Sequence, residues 1–233
     1  MKKLLIIFLF ALLVGCAPKE PQKDTQPTVV VETVPTVTTI PETEPPVTVP
    51  EITLPEPEED ALVSVTDHIP GIFVELKYAT ADNFTGQVIY NFTEARLRYG
   101  TVKKLAAAQE FFEEQGLSLK IWDAYRPVSA QWKLWEVYPD GNFVANPNHT
   151  HSSHSRGNTV DVTLVDKNGR ELEMPTGFDD FSSLADRDYS DCSLITAENA
   201  RLLQSILEQY GFRGYQKEWW HFTDTDPYEV INP

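Results

Sequence analysis

Four residues in two short blocks have the types and spacing of a metal-dependent hydrolytic site. In the block SSHSRGNTVDVTL, six residues separate His154 from Asp161, and in the block EWWHF two residues separate Glu218 from His221. Two neutral imidazoles and one carboxylate are a ligand set of catalytic Zn²⁺, which keeps a fourth position open for water and lowers the pKa of that water to about 7. The remaining carboxylate, Glu218, can then act as a base toward the water.

The pattern around Asp161 predicts a strand that carries this ligand. The apolar residues of the segment alternate with the others, and they are Val160, Val162 and Leu164. A period of two is typical of a half-buried strand, so we expect Asp161 to point away from the apolar face. The pair Asn168-Gly169 predicts a hairpin turn after the strand, with the chain returning through residues 171–174.

The spacing of Glu218 and His221 favours a turn. Residues three apart share one side of a helical turn or tight loop, whereas in a regular strand they lie on opposite faces. We therefore expect a turn at this point, after a strand at 212–217.

Each of these residues also has a structural interpretation. A lone histidine is more often a hydrogen-bonded core or surface residue than a ligand, and Asp161 could cap a turn. His149 and His151 are rival ligands on spacing alone. Spacing by itself therefore leaves both a metal site and an ordinary polar cluster open.

Several blocks together resemble a known family. They are SSHSRG continuing to Asp161, EWWH at 218–221, WDAYRP at 122–127 and LKYATADNFTG at 76–86. In order and spacing these blocks resemble the zinc D-alanyl-D-alanine dipeptidases of the vancomycin-resistance type. The resemblance covers nearly all of residues 62–233.

The resemblance implies one Zn²⁺ per domain, with the ligands His154, Asp161 and His221. It also implies that Glu218 is the catalytic base and that Arg126 stabilises the transition state. Arg126 precedes a proline, which disfavours a helical backbone at the arginine and suits the first turn of a following helix. A structural ion pair with Asp123 is the alternative role for Arg126.

The resemblance also implies residues that bind the two ends of a dipeptide. Asp179 matches the carboxylate that receives the substrate ammonium, although Asp180 is an adjacent competitor. A free substrate carboxylate needs hydroxyl, backbone N–H or cationic donors. The candidates for that role are Ser152 first, then Ser153 and Arg156.

The activity implied by this resemblance is zinc-dependent hydrolysis of D-Ala-D-Ala to two D-alanines. Related zinc peptidases share the metal core, so a D,D- or L,D-carboxypeptidase or endopeptidase acting on longer muropeptides is an alternative. A binding protein that holds wall peptides without cleaving them is a third interpretation. Such a binder would not need Glu218 and Arg126 beside the ligands.

Helix and strand signals predict one α+β domain at 61–233, with a central, largely antiparallel sheet and flanking helices. The predicted helices cover 101–115, 127–138 and 196–210, and the predicted strands cover 72–77, 119–123, 160–165 and 212–217. Trp219 and Trp220 either wall a small pocket or pack in the core.

Residues 1–15 have the features of an export signal. Two lysines precede an apolar run, and LVGC at 13–16 resembles the lipobox of a bacterial lipoprotein. The apolar run is shorter than a typical membrane-spanning helix, so we expect cleavage before Cys16 and a lipid on that cysteine. An uncleaved anchor is the alternative. Both interpretations place the domain outside the cytoplasm.

Residues 16–60 begin with the expected lipidated cysteine and continue as a segment rich in Pro, Thr, Val and Glu. No helical or strand period is present, so we expect a disordered linker that tethers the domain to a bacterial membrane. An O-glycosylated stalk is the competing interpretation of the threonine content.

Charge and cysteine content narrow the class of partner. The domain at 61–233 has 15 Lys and Arg against 25 Asp and Glu, a net charge of -10, which argues against nucleic acid as a partner because its phosphates would be repelled. This negative charge does not disfavour binding of small zwitterionic peptides, which have no net charge. With Cys16 lipidated, Cys192 has no intrachain partner, and we expect Cys192 to pack as a small apolar residue rather than to act as a nucleophile.

An exported enzyme fits turnover of dipeptides released from the cell wall better than destruction of cytoplasmic precursors.

Overall fold

The computed structural model describes residues 55–232. The predicted signal at 1–15, Cys16 and the linker up to residue 54 lie outside the described residues. Within the described part, no helix has both the length and the apolar character needed to cross a membrane. The last residues assigned to the linker contact the domain, because the carbonyls of Glu59 and Asp60 accept hydrogen bonds from Gly100 and Arg98.

Seven strands and four α-helices make up the described chain. The strands are β1 Leu62–Ser64, β2 Phe73–Val74, β3 Arg96–Arg98, β4 Leu117–Asp123, β5 Thr159–Asp166, β6 Phe212–Tyr215 and β7 Glu218–Asp224. The helices are α1 Val65–His68, α2 Tyr99–Glu114, α3 Val128–Val137 and α4 Leu194–Gln209. Short 3₁₀ turns lie at Lys77–Ala79, Ser153–Arg156, Ser183–Ala185 and Tyr189–Asp191.

The main sheet has the strand order β2-β4-β5-β7-β6. Only the β2–β4 pair is parallel, and the other three pairs are antiparallel. β1 and β3 form a separate antiparallel pair. The predicted α+β fold with a largely antiparallel sheet is confirmed.

The three predicted helices are present as α2, α3 and α4, and local signals explain where they end. Gly116 and Gly211 follow α2 and α4 with φ of 72° and 89°. A left-handed residue just after a helix satisfies its last carbonyls, and glycine adopts that conformation without a Cβ penalty. α4 begins after Ser193, whose hydroxyl accepts a hydrogen bond from the Thr196 backbone N–H, as a helix cap requires.

β5 differs from the predicted half-buried strand, since every residue from Thr159 to Val165 is buried. β5 lies between β4 and β7 in the middle of the sheet, and the 3₁₀ turn Ser153–Arg156 packs against it. Its polar face is therefore covered by the segment that carries His154. This cover buries Asp161 next to His154 instead of leaving it on a solvent-facing surface.

Three predicted strands are shorter in the structure. The strand predicted at 212–217 ends at Tyr215, as β6. The strand predicted at 72–77 is wrong beyond Val74, because Tyr78 turns into the core and its carbonyl accepts hydrogen bonds from the Ile89 and Tyr90 backbone N–H groups. The turn at Gly169 is present, with φ of 78°, but the returning strand at 171–174 is reduced to one bridge between Val165 and Glu171.

Candidate metal centre and active site

Two of the predicted ligands face each other across neighbouring strands. Asp161 on β5 is paired with His221 on β7 in the antiparallel register. Directly opposed residues project from the same face of a sheet, so both side chains reach the same space. His221 Nδ1 lies 3.0 Å from Asp161 Oδ1. The hydroxyls of Ser153 and Thr223 lie 3.3 Å and 3.4 Å from His221 Nε2.

His154 completes the cluster from the 3₁₀ turn Ser153–Arg156. Its Nε2 lies 3.3 Å from His221 Nδ1 and 3.3 Å from Asp161 Oδ2. Its Nδ1 lies 2.8 Å from the Ala124 carbonyl, which can only accept a hydrogen bond. The proton is therefore on Nδ1, and Nε2 presents a lone pair to the cluster.

The geometry of this cluster fits Zn²⁺. Tetrahedral ligands about 2.0–2.1 Å from zinc lie about 3.3 Å apart. The two histidine nitrogens are 3.3 Å apart, and the Asp161 carboxylate presents Oδ1 at 3.0 Å from His221 Nδ1 and Oδ2 at 3.3 Å from His154 Nε2. Asp161 Oδ1 is buried and, although His221 Nδ1 lies 3.0 Å away, it receives no well-aligned hydrogen bond from the described residues, which is costly for a carboxylate oxygen. A cation at the centre of the three ligand atoms would satisfy it. Thus His154, Asp161 and His221 form the zinc site.

The rival histidines stay outside this cluster. His149 and His151 are both exposed, and neither belongs to the group of converging ligand atoms. Their position removes the ambiguity that spacing alone leaves.

Substituting His154 with alanine should therefore weaken zinc binding by more than about 100-fold, since a ligand contributes at least as much as the outer residues that orient it. His151→Ala is a matched control from the same block and should bind zinc like the unaltered protein. Zinc content after dialysis, measured by atomic absorption, checks both expectations. Equal zinc loss in the two variants would contradict the assigned ligand set.

A break in strand pairing brings Glu218 to the metal site. Gly214 is paired with Phe222, but the next residue of β6, Tyr215, is paired with Glu218. Between these two pairs the chain advances by one residue in β6 but by four residues in β7. This expansion of β7 interrupts the regular alternation of its side chains between the two faces of the sheet. Glu218 Oε2 lies 3.5 Å from His221 Nδ1 as a result. The turn predicted at 218–221 is wrong, because these residues belong to β7; the two side chains nevertheless share one side.

The paired tryptophans are part of the core. Trp219 and Trp220 are each 1% exposed, and neither lines the cavity beside the metal site. The Trp219 indole N–H donates to Thr176 Oγ1 at 3.0 Å, and its ring meets the Trp122 ring edge-on. The core-packing alternative for these residues therefore holds.

Arg126 lies at the junction between β4 and α3, as predicted, and it is buried. Its Nε and Nη2 donate to Asp123 Oδ2 at 3.0 and 2.6 Å, and its Nη1 donates to Gln131 Oε1 at 2.9 Å. The ion pair with Asp123 is thus present. The same guanidinium lines the cavity that contains the metal ligands. Because a guanidinium has five N–H donors, it can keep these three bonds and still donate to a substrate oxygen.

Asp179 lines the cavity through an unusual backbone conformation. Its φ is 54°, in the left-handed region that aspartate tolerates better than most residues. Its Oδ2 accepts a hydrogen bond of 2.7 Å from the Tyr78 hydroxyl. Asp180 is exposed, accepts a hydrogen bond from the Ser182 backbone N–H and does not line the cavity. The geometry thus favours Asp179 over its neighbour as a residue that can meet a ligand.

The other candidate residues differ in whether they line the cavity. Ser152 and Ser153 line the cavity, whereas Arg156 does not and donates to the Tyr228 carbonyl. Cys192 packs at the edge of the core away from the cavity, and burial raises the pKa of its thiol. A raised pKa does not favour a nucleophilic thiolate.

Burial and neighbouring charges set the protonation of three carboxyl groups. Burial raises the pKa of Glu218 to about 7, although His221 lowers it. Burial also raises the pKa of Asp179 to about 8, against the lowering effect of the Tyr78 hydrogen bond. For Asp161 burial is outweighed by His154 and His221, which hold its pKa well below the usual range. Asp161 therefore remains the ionised carboxylate that a metal ligand must be.

The cavity has a volume of about 210 Å³. Besides the metal ligands, Arg126, Glu218 and Asp179, its wall includes Tyr78, Phe84, Phe143, Phe181 and Tyr215. Sequence reasoning missed Tyr78 and Gln131 as residues that orient the site, and it gave Asp123 only as the partner of Arg126 in an alternative, structural ion pair. Tyr78 lies in the block at 76–86, but nothing local in that block indicates its contact with Asp179, 101 residues away.

Comparison with known proteins agrees with the site. The family model described as D-Ala-D-Ala dipeptidase, peptidase M15, matches residues 58–230. Similar proteins include three that are named D-alanyl-D-alanine dipeptidase. The Escherichia coli (strain K12) protein is 38% identical over 161 residues, covering 69% of this chain and 83% of the relative.

The second relative, from Enterococcus faecium, is 34% identical over 181 residues, covering 69% of this chain and 90% of the relative. The third, from Streptomyces coelicolor, is 37% identical over 180 residues, covering 68% of this chain and 89% of the relative. The matched region contains all three metal ligands together with Glu218 and Arg126. The chain belongs to the D-Ala-D-Ala dipeptidase family of zinc peptidases.

Proposed function

We propose that this protein is a zinc-dependent dipeptidase that hydrolyses D-Ala-D-Ala to two D-alanines. The observation that carries the proposal is the convergence of the zinc ligands with Glu218 and Arg126 in one small cavity. The relatives named above supply the substrate class. The hydrolysis assay that closes the Discussion tests the proposal directly.

Glu218 is the proposed general base. When bound, Zn²⁺ polarises the scissile carbonyl and lowers the pKa of water. Glu218 then takes a proton from the attacking water and later donates it to the leaving amine. A pKa of about 7 suits both transfers, because a general acid–base group works best when its pKa is near the working pH.

Arg126 is the proposed donor to the oxygen that becomes negative as water adds to the carbonyl. Its planar fork is fixed before substrate arrives, since Asp123 holds Nε and Nη2 while Gln131 holds Nη1. A pre-oriented donor stabilises developing charge without the cost of reorganisation. Here the Asp123 ion pair is the support for the catalytic role rather than an alternative to it.

Asp179 and Ser152 are the proposed residues for the two ends of the dipeptide. Asp179 receives the substrate ammonium, and the Ser152 hydroxyl donates to the substrate carboxylate. In a longer peptide an amide replaces the ammonium at this position and leaves the Asp179 carboxylate without a cationic partner. A buried carboxylate without a partner is costly, so this arrangement favours a free dipeptide over a muropeptide.

Asp179→Asn should raise KM for D-Ala-D-Ala by about 10- to 150-fold, the loss expected for one hydrogen bond to a charged group. Asparagine has the same shape and also tolerates a positive φ, so the backbone and the zinc site should be preserved. Steady-state kinetics together with zinc content checks this expectation. Asp180→Asn is the matched control and should leave KM unchanged. A KM for Asp179→Asn equal to that of the unaltered protein would exclude the assigned role.

Dipeptide binding should release a proton from Asp179. Because its pKa is about 8, the free carboxyl is mostly protonated at pH 7, and a bound ammonium favours the ionised form. Affinity should therefore weaken as the pH falls below 8. Calorimetry in buffers of different ionisation enthalpy measures proton release, using the Glu218→Gln background to prevent turnover. The same release from the Asp179→Asn, Glu218→Gln double variant would contradict this assignment.

The N-terminal sequence supports an extracytoplasmic location. We propose that residues 1–15 are removed, that Cys16 is lipidated and that the segment from residue 17 up to the folded domain tethers the enzyme to a bacterial membrane, where it degrades dipeptides released from cell-wall peptides. The lipobox-like LVGC at 13–16 motivates this proposal. Labelling with a fatty acid in cells should mark the protein and not Cys16→Ala. Equal labelling of both would contradict the proposal.

A further inference from the structure

One arginine outside the β6–β7 hairpin donates hydrogen bonds to the backbone carbonyls that the irregular β6–β7 pairing displaces. Arg187 Nε donates to the Tyr215 carbonyl at 2.8 Å. Its Nη2 donates to the carbonyls of Trp219 and His221 at 3.0 and 2.9 Å. The Arg187 backbone N–H also donates to the Gln216 carbonyl at 3.1 Å. One residue therefore bonds both sides of the irregular pairing.

The sequence leaves a space for this guanidinium. Gly214 and Phe222 are directly paired, so side chains at these two positions lie on one face of the sheet. The Arg187 guanidinium lies 4.4 Å from the centre of the Phe222 ring. A Cβ on Gly214 would lie 2.2 Å from Arg187 Cζ, far inside contact distance. The absence of a side chain at Gly214 is thus what admits the arginine.

Arg187 acts from the face opposite the zinc site. Successive residues of a strand point to opposite faces, so the Phe222 ring lies behind the sheet when His221 faces the metal cluster. Arg187 is not among the residues that line the site cavity. Its hydrogen bonds therefore act on the site through the backbone of β7, at the residues that carry Glu218 and His221, and its charge also interacts with the Glu218 carboxylate.

We propose that Arg187 is a positioning residue, which holds the expanded segment of β7 and so keeps Glu218 and His221 on the same side of the strand. The inference rests on the proposed function, since it assigns a support to the base and to a metal ligand. A planar fork with several fixed donors can serve three carbonyls at once. A lysine ammonium has no such fork, and its flexible stem would not hold the segment in one geometry.

The direct test is Arg187→Lys in the full chain. Zinc affinity, measured by competition with a chromogenic chelator, should weaken by about 10- to 100-fold, the range typical of residues that orient metal ligands. At saturating zinc, kcat should fall by about 10- to 100-fold, while KM should change by less than about threefold because no substrate contact is removed.

Gln109→Ala is the control for general destabilisation. Gln109 is buried between α2 and the start of β4, where its side chain donates to Ser118 Oγ and accepts from the Leu119 backbone N–H, and it does not line the cavity. This variant should lower the melting temperature while zinc affinity and kcat stay within about twofold. An equal loss of zinc affinity and kcat in Gln109→Ala would show that general destabilisation is the cause, and would overturn the proposal.

A double-mutant cycle with Gly214 separates this role from a general effect on folding. Gly214→Ala should weaken zinc binding as Arg187→Lys does, because the methyl group displaces the guanidinium. In an Arg187→Ala background the same substitution should cost less than about twofold, since the space is already vacant. Additive losses would contradict the proposal, as would Arg187→Lys with unaltered zinc affinity and kcat.

Zinc affinity is measured without substrate, so this test is independent of the proposed activity. Loss of zinc affinity in Arg187→Lys together with no D-Ala-D-Ala hydrolysis by the unaltered protein would support the positioning role and overturn the proposed function.

Discussion

Glu218→Gln should lower kcat for D-Ala-D-Ala by about 10²- to 10⁴-fold, the contribution typical of a positioned general base. The amide has nearly the shape of the carboxylate but cannot take a proton from water. Glu218 lies 3.5 Å from His221 and is not one of the three converging ligands, so zinc content should not change. Release of D-alanine gives kcat, and atomic absorption gives the zinc content.

Glu114→Gln is the control for this experiment, because Glu114 is exposed at the end of α2, outside the cavity. It should have the kcat of the unaltered protein. A Glu218→Gln enzyme with near-normal kcat would place the base elsewhere. Loss of zinc in that variant would instead show that Glu218 is a ligand, which contradicts the role assigned to it.

Arg126→Lys should lower kcat by about 10²- to 10³-fold, the loss seen when one donor to a developing oxyanion is removed. Lysine keeps the positive charge and can still pair with Asp123, but it lacks the fork that Asp123 and Gln131 hold in place. The zinc site should be preserved because Arg126 provides no ligand. Kinetics, zinc content and thermal unfolding of the same preparation check this expectation.

Comparison of kcat with thermal stability separates the two roles of Arg126. If the arginine served only as the ion-pair partner of Asp123, Arg126→Lys would lower the melting temperature without a specific loss of kcat. Asp123→Asn provides a second comparison, because it removes the support but leaves the guanidinium. Its kcat should fall less than that of Arg126→Lys. The reverse order would contradict direct contact between Arg126 and the substrate.

The sequence was sufficient for most of the scaffold. α2 and α4 follow from apolar periodicity with a glycine just after the last turn, and α3 follows from Pro127 at its start. β5 follows from alternation, although its burial on both faces does not. That burial depends on the turn at Ser153–Arg156 packing over Asp161, a tertiary contact that local alternation cannot report.

The geometry around Glu218 shows why the rest could not be predicted. Because Glu218 and His221 are three residues apart and share a site, their spacing suggests a helical turn. A regular strand would place the two side chains on opposite faces, but an irregular strand need not. The expansion between Gly214 and Tyr215 removes that regularity, and it depends on Arg187 and on the small residue at Gly214. The bonds from Tyr78 to Asp179 and from Arg187 to His221 likewise join residues distant in sequence. The family resemblance was enough to identify the metal ligands, whereas the residues that hold them in place could be identified only from the three-dimensional structure.

The measurement that tests the central claim most directly is hydrolysis by the purified, zinc-loaded protein of D-Ala-D-Ala, its L,L isomer and a pentapeptide ending in D-Ala-D-Ala. We expect D-alanine release from the free D,D-dipeptide, little from the other two, and none after chelation or in Glu218→Gln. Preference for the pentapeptide would contradict the dipeptidase assignment and indicate a wall-trimming carboxypeptidase. No turnover of any substrate, with zinc bound, would contradict catalysis itself and favour a protein that only binds wall peptides.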